Sequence, residues 1–289
     1  MILVTGATGG AGSQVVRALV RQGQDVRVFV RDPDKARRLF GDAAELAPGD
    51  FAEPRSLRAA LDGADVLFLS GADDPRRVEW ETSAIDAAAE AGLRRIVKLS
   101  SIVAQPGAPV AFWDWHGRIE QHLRTASVPS VILRASFFMS NLLAAAEPVA
   151  LAGMLCAPAG SAQIAMIDPR DVGTAAAAVL TSAGHDGRSY ALTGPEAVTY
   201  AQVAEALADA TGRDVEFVDL PDEAAVHGLT QAGLPLFAAE QVVAIFAQAR
   251  LGMASQVTTT VEALTGRPPR DISSFARDSA NVFSRREAA

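Results

Sequence analysis

Cysteine is nearly missing, with Cys156 the single one among 289 residues. One thiol closes no disulfide and supplies no cysteine-based zinc site. Histidine is scarce as well. His116, His122, His185 and His227 are scattered, without helical pairing or a His-Glu-x-x-His run, so no metal is expected. Positive charge is in short supply: 26 Lys and Arg stand against 34 Asp and Glu, a net charge of −8. No basic run is longer than a helical turn, and no nucleic-acid partner is expected. Long apolar runs are absent too. Alanine-rich stretches such as 175–180 fall far short of the roughly 20 apolar residues that cross a bilayer. The opening Met-Ile-Leu-Val-Thr-Gly carries no basic leader. These absences lead to the expectation of a soluble cytoplasmic protein with a reduced thiol and no membrane partner.

Hydrophobic residues make up 49% and charged residues 21%, the composition of a globular chain. The length suits one large domain, or one with a smaller lobe. Short apolar, β-branched runs at 2–5, 26–30, 45–47, 66–70, 96–100 and 130–134 predict strands. Helical patterns at 11–21, 33–40, 54–61, 80–91 and 115–126 lie between them. Such alternation predicts parallel strands buried on both faces, joined by right-handed crossovers into a doubly wound α/β Rossmann sheet. Beyond residue 134 the rhythm changes. Helices are expected at 137–151, 171–181, 200–211, 221–232 and 236–251, with extended pieces at 189–192 and 215–219. The expected organisation is a Rossmann domain over 1–135, with late strands from about 163–195. A mostly helical substrate-binding lobe, 136–289, is interwoven with it.

The first strand leads straight into Thr5-Gly6-Ala7-Thr8-Gly9-Gly10-Ala11-Gly12, followed by a helix. Gly6, Gly9 and Gly12 have G-x-x-G-x-x-G spacing, a relative of the dinucleotide fingerprint. The first glycine permits a tight turn and the middle of the loop admits a pyrophosphate. Gly12 permits close packing of helix on strand, and the helix N-terminus offers N–H groups to the anion. Gly6, Thr8, Gly9, Gly10, Ala11 and Gly12 are therefore expected to hold a cofactor. Arg31 ends the second strand, 19 residues beyond Gly12. Its planar fork of donors suits a 2′-phosphate, with Lys35 and Arg37 adding charge, so NADP(H) is preferred. Asp32 is the dissenting residue, suited to ribose hydroxyls, and keeps NAD(H) open. Asp50 and Phe51 are expected at an adenine, Asp50 accepting from the amine and Phe51 covering the ring. Ser70-Gly71 and Ser100-Ser101 end the fourth and fifth strands at the same crevice.

Together these segments resemble the atypical short-chain dehydrogenase/reductase superfamily, and within it the NmrA-like and type 2 quinone-reductase branch. The resemblance is carried by Val4–Gly12, Val28-Phe29-Val30-Arg31-Asp32, Gly49-Asp50, His116-Gly117-Arg118-Ile119-Glu120 and Ile132–Leu142. It continues through Ile167–Val172 and Tyr190–Glu196, and spans residue 1 to about residue 270. It implies a Rossmann domain binding NADP(H) or NAD(H) and a substrate cleft roofed by the C-terminal lobe. Common members of the superfamily use Tyr-x-x-x-Lys, with a Glu four residues after the Lys in the extended ones. Counting back from Glu120 places His116 at the Lys position and Phe112 at the Tyr position. The usual phenolic acid is therefore missing, whereas the quinone-reductase branch is similar in having His.

His116 is then expected to bind the nicotinamide ribose and act as an acid near neutral pH, with Ser100 or Ser101 polarising a carbonyl. Aromatic residues are only 6% of the chain, yet Phe112, Trp113, Trp115, Phe137 and Phe138 cluster around this region. Trp113, Phe137, Phe138 and Asn141 are the expected contacts of a flat quinone-like or polycyclic aromatic substrate, Phe137 also lying beside the nicotinamide. The apolar pattern over 236–246 suits either a cover for the cleft or a dimer seam, so monomer and homodimer both stay open. The expected activity is NADPH-dependent reduction of a quinone or polyketide-like compound. The alternatives are a redox-sensing regulator without turnover and a repurposed tailoring enzyme, an oxygenase or isomerase.

Overall fold

The computed structural model describes residues 1–284. In chain order the elements are β1 (Ile2–Val4), α1 (Gly10–Arg21), β2 (Val26–Val30), α2 (Pro33–Phe40), β3 (Glu45–Pro48) and α3 (Pro54–Leu61). Next come β4 (Val66–Leu69), α4 (Arg77–Glu90), β5 (Arg95–Ser101), α5 (Ala111–Thr125) and β6 (Ser130–Ala135). The later part holds α6 (Ala146–Ala152), β7 (Met154–Ala157), α7 (Pro169–Thr181), β8 (Ser189–Leu192), α8 (Tyr200–Thr211) and β9 (Glu216–Asp219). It ends with α9 (Asp222–Gln231), α10 (Leu236–Arg250), α11 (Thr260–Thr265) and α12 (Ile272–Phe283).

Seven strands form one sheet in the order β3-β2-β1-β4-β5-β6-β8, every pair parallel. This is the doubly wound α/β sheet expected from the strand–helix alternation. All positions of β1 and β4 are buried, as required where both faces of a parallel sheet are covered. The winding reverses between β1 and β4. In such sheets that reversal opens a crevice beyond the strand carboxyl ends.

The chain forms two compact units. The first contains Met1–Ala135, Pro169–Leu192 and Thr260–Arg267, and so the whole seven-stranded sheet. Within it α1 lies along α7. Gly173 permits this approach, because a Cβ there would stand 2.6 Å from the Gln14 carbonyl. Of the stretch 163–195, only Ser189–Leu192 enters the sheet, beside β6.

The second unit contains Ser136–Asp168, Thr193–Thr259 and the described residues from Pro268. It is mostly helical, around Leu155, Val203, Leu207, Phe246, Phe275 and Phe283, with β7 and β9 as a two-stranded parallel ribbon. The expected single helix over 137–151 is divided into a 3-10 segment, Met139–Ala145, and α6. Pro148 explains the break. As the third residue of α6 it needs no N–H, whereas a continuous helix would require one there. Strand β7 and helices α11 and α12 had no counterpart in the sequence expectations. No helix among the described residues is long and apolar enough to cross a membrane.

Candidate active site

The glycine loop joins β1 to α1. Thr5 fixes its start, the side chain donating to the Ser70 carbonyl at 2.9 Å and accepting from the Ser70 N–H at 2.9 Å. Gly6 then turns with φ of 62°, and a Cβ on it would lie 2.8 Å from the Ser70 carbonyl oxygen. The Gly9 N–H donates back to the Gly6 carbonyl at 3.0 Å. Gly12 sits on the same carbonyl, where a Cβ would come within 2.2 Å of the oxygen. Thr8 is half-buried, Gly9 and Gly10 are exposed, and Ala11 is buried. Helix α1 starts with Gly9 at its cap, no side chain capping it and no acid in its first turn. An uncapped N-terminus with the positive end of the helix dipole is a seat for an anion. The cradle therefore fits a pyrophosphate.

At the end of β2, Asp32 caps α2, its Oδ1 accepting the Lys35 N–H at 2.8 Å. Its rival role toward ribose hydroxyls is thus matched by a structural one. Arg37 pairs with Asp34 at 3.2 Å. Arg31 and Lys35 are exposed, and neither side chain has a partner among the described residues. They are the cations available to a phosphate. Asp50 accepts the Ala52 N–H at 2.8 Å, closing its own turn. The Phe51 ring meets Phe29 edge-on, centroids 5.6 Å apart, and borders a groove with Pro54, Leu57 and Trp80. Gly71 follows Ser70 where a Cβ would stand 2.9 Å from Glu81 Oε1.

Under this surface lies a set of buried charges that sequence reasoning missed. Lys98 and Ser100 alternate with apolar residues along β5 and share one face. Lys98 is wholly buried. Its Nζ stands 2.9 Å from Glu81 Oε2 and 3.5 Å from His116 Nδ1, and it donates to the Leu99 carbonyl. Arg77 Nε donates to Glu81 Oε1 at 2.8 Å, and Arg77 also reaches Asp73 at 2.5 Å. Ser100 donates to Glu120 Oε1 at 2.6 Å, and Arg124 and Arg134 hold Glu120 from 2.7 and 2.5 Å. One signal was present in the sequence: a lysine inside Ile96-Val97-Lys98-Leu99, a run otherwise fit only for a covered central strand.

This environment sets protonation. Burial pushes the Lys98 ammonium down to about 8, against the pull of Glu81. For Glu81 the opposing burial is outweighed by Lys98 and Arg77, which hold it below the usual carboxylate range. Burial, then the Arg77 and Lys98 charges, drive His116 well below its ordinary value. The expectation of an imidazolium acid near neutral pH is therefore corrected: His116 is a neutral ring. With Nδ1 facing an ammonium, its own proton belongs on Nε2. The role expected of Ser100 is corrected as well, since its hydroxyl proton is engaged by buried Glu120 and is not available to a carbonyl. Ser101, half-buried, is next along the strand. Phe112 packs on Trp115 with centroids 5.4 Å apart.

Trp113 is half-buried on α5 in the first unit. Phe137, Phe138 and Asn141 belong to the second. There Phe137 packs against Phe246 with centroids 6.0 Å apart, and Phe138 bridges to Ile167. Asn141 is exposed. No group of three or more His, Cys, Asp or Glu suited to a metal occurs among the described residues.

A neutral, half-buried His116 has a consequence for stability. Unfolded, the ring takes a proton near pH 6.5; folded, it does not. Stability is therefore lost as the pH falls below that value, by up to about 1.4 kcal/mol per pH unit. His116→Asn should flatten the slope between pH 6.5 and about 5 in denaturant melts. An unchanged slope would contradict the assignment.

The sequence model of the NmrA-like family matches residues 1–264. An NAD(P)H azoreductase from Xenophilus azovorans is 36% identical over 283 residues, 98% of this chain and 99% of that protein. The NADPH-dependent quinone oxidoreductase of Escherichia coli, solved with NADPH, aligns with TM-score 0.87 at 28% identity, over 96% of this chain and 99% of that one. The triphenylmethane reductase of Citrobacter sp., complexed with NADP(H), gives TM-score 0.85 at 26% identity, covering 97% and 100%. With a glycine loop between β1 and α1, a seven-stranded sheet reversing at β1 and β4, and a match over nearly all of its length, this chain belongs to the NmrA-like family.

Proposed function

We propose that the protein is an NADPH-dependent oxidoreductase that reduces conjugated aromatic acceptors, quinones and azo compounds above all. The observation that carries this reading is the uncapped entry of α1 beside a glycine cradle, with Arg31 and Lys35 uncommitted at the end of β2. The names of the relatives, an azoreductase and a quinone oxidoreductase, support it.

In this reading Gly6, Thr8, Gly9, Gly10, Ala11 and Gly12 hold the pyrophosphate and Arg31 with Lys35 the 2′-phosphate. Asp50, Phe51, Ser70 and Gly71 border the adenosine half, and His116 stands at the nicotinamide end. When bound, the nicotinamide supplies a hydride. The chain itself binds, orients and provides a weak donor. It has no phenol at the Tyr position, so a simple ketone would lack a proton source. A quinone spreads the developing charge over a second carbonyl, and positioning with one modest N–H donor suffices.

Arg31→Ala should weaken NADPH binding by about ten- to a hundredfold, the scale of charge-assisted hydrogen bonds, and leave NADH nearly unchanged. Calorimetric titration with both cofactors checks this, and equal weakening of the two would contradict the assignment. The reaction is tested by steady-state NADPH consumption with benzoquinones, naphthoquinones and azo dyes. No consumption above the acceptor-free rate, with any of them, would overturn it.

A further inference from the structure

We propose that His116 and Lys98 form a two-member proton relay, His116 Nε2 giving a proton to the reduced acceptor and Lys98 replacing it at Nδ1. The inference rests on the reductase reading above and names the proton source which that reading leaves open.

The geometry assembles the relay from three elements. Lys98 projects from the middle of β5 and is wholly buried. Its Nζ lies 3.5 Å from His116 Nδ1 on α5 and 2.9 Å from Glu81 on α4. Glu81 is shared with Arg77, whose Nε is 2.8 Å away, so one buried carboxylate faces two buried cations. Glu120, the other acid near Lys98, is held by Ser100, Arg124 and Arg134. Arg77 keeps its proton at any physiological pH. Lys98 is the cation that can give one up, and the imidazole nitrogen beside it is the group placed to receive it. Arg77 is bonded to both Glu81 and Asp73, and Lys98, besides pairing with Glu81, faces the ring nitrogen. Asp73, exposed and bonded to Arg77, carries the chain of charges out to the surface.

The step balances. The quinone takes a hydride from the reduced nicotinamide, and its oxygen gains the electron pair. The His116 Nε2–H bond breaks as the new O–H bond forms. At the same time Nδ1 takes a proton from the Lys98 ammonium. The imidazole is neutral before and after, having exchanged tautomers, and Lys98 is left as an amine. One proton from water restores the pair. Acceptor, hydride and proton together make the hydroquinone, and the nicotinamide is oxidised. His116 is the residue in contact with the acceptor; Lys98 is a positioning and relay residue that acts through it.

The experiment compares two acceptors with different proton demands. A quinone needs hydride and proton; a cationic triphenylmethane dye needs hydride alone, on carbon. Lys98→Arg keeps the charge beside Glu81 but holds its proton too tightly to pass it on. Lys98→Met removes both. In each variant the ratio of quinone to dye kcat should fall about ten- to a hundredfold, with the solvent deuterium effect confined to quinone. Nitrogen-15 spectra of the cofactor-free protein give a readout independent of turnover. They should show His116 protonated at Nε2 in the wild type, and in Lys98→Met a ring that titrates closer to the ordinary histidine range. A ratio unchanged within about twofold in Lys98→Arg, or a wild-type ring protonated at Nδ1, overturns the relay while the reductase reading stands. A wild type that reduces neither acceptor overturns both.

Discussion

Replacing Glu81 by alanine should cost about 3–5 kcal/mol of folding stability, the scale for removing one partner of a buried ion pair. The total stability of a domain is about 5–15 kcal/mol, so the loss is a large share. Glu81 is fully buried and is the carboxylate against which both Arg77, at 2.8 Å, and Lys98, at 2.9 Å, are held. Without it two cations remain dry in the first unit. They respond differently. Lys98, already pushed down to about 8, can shed its charge in mild base; Arg77 cannot. The deficit of Glu81→Ala should therefore be smaller near pH 9 than near pH 7. Adding Lys98→Met should recover part of it, because an apolar side chain is cheaper to bury than an orphan ammonium. Urea melts of the wild type, the single variant and the double variant check all three statements. A single variant within about 1 kcal/mol of the wild type would mean that the charges are solvated rather than buried.

Gly12→Ala should reduce NADPH affinity by about a hundredfold or more. The added Cβ would meet the Gly6 carbonyl oxygen at 2.2 Å and its carbon at 2.7 Å. Neither is the end of a flexible side chain, so the entry of α1 must move away from the loop. Displacement of about 1 Å at a positioning element carries losses of that size. Gly228→Ala on α9 is the matched control. Nothing lies within 4 Å of a Cβ there and its φ is ordinary, so it should be neutral or stabilising by a few tenths of a kcal/mol to about 1 kcal/mol. Calorimetry with NADPH separates the two. Equal affinities in Gly12→Ala and wild type would remove the glycine cradle from the cofactor site.

The sheet was legible because its strands are short apolar runs bracketed by turns, and a covered parallel sheet permits little else. The cradle was legible because φ and steric demands at Gly6 and Gly12 admit only glycine. The position of Arg31 at the end of β2 was legible, although the cap that occupies Asp32 appears only once α2 is built. Pro148 signals the break in 137–151, but the helical pattern around it runs on both sides without interruption. Strand β7 is four residues long with no alternation, and its pairing with β9 joins segments about 60 residues apart, a distance local pattern does not cover. The buried charges were hidden for a different reason. Lys, Arg and Glu are ordinarily surface residues, so Arg77 and Glu81, one helical turn apart, pass for a solvated pair. It takes the register of β5 against α4 and α5 to turn them, with Lys98 and His116, into one interior cluster. The same cluster keeps His116 neutral, by burial first and then by its cationic neighbours.

Consumption of the bound reduced nicotinamide by a conjugated acceptor is the step on which the proposed function stands. Its most direct test is a single turnover in the stopped-flow, with NADPH-loaded protein mixed against excess naphthoquinone. The absorbance of the reduced nicotinamide should disappear at a rate that saturates with acceptor, leaving one hydroquinone for each cofactor bound. If the bound NADPH outlasts every quinone and azo acceptor at concentrations that saturate the protein, the claim is contradicted.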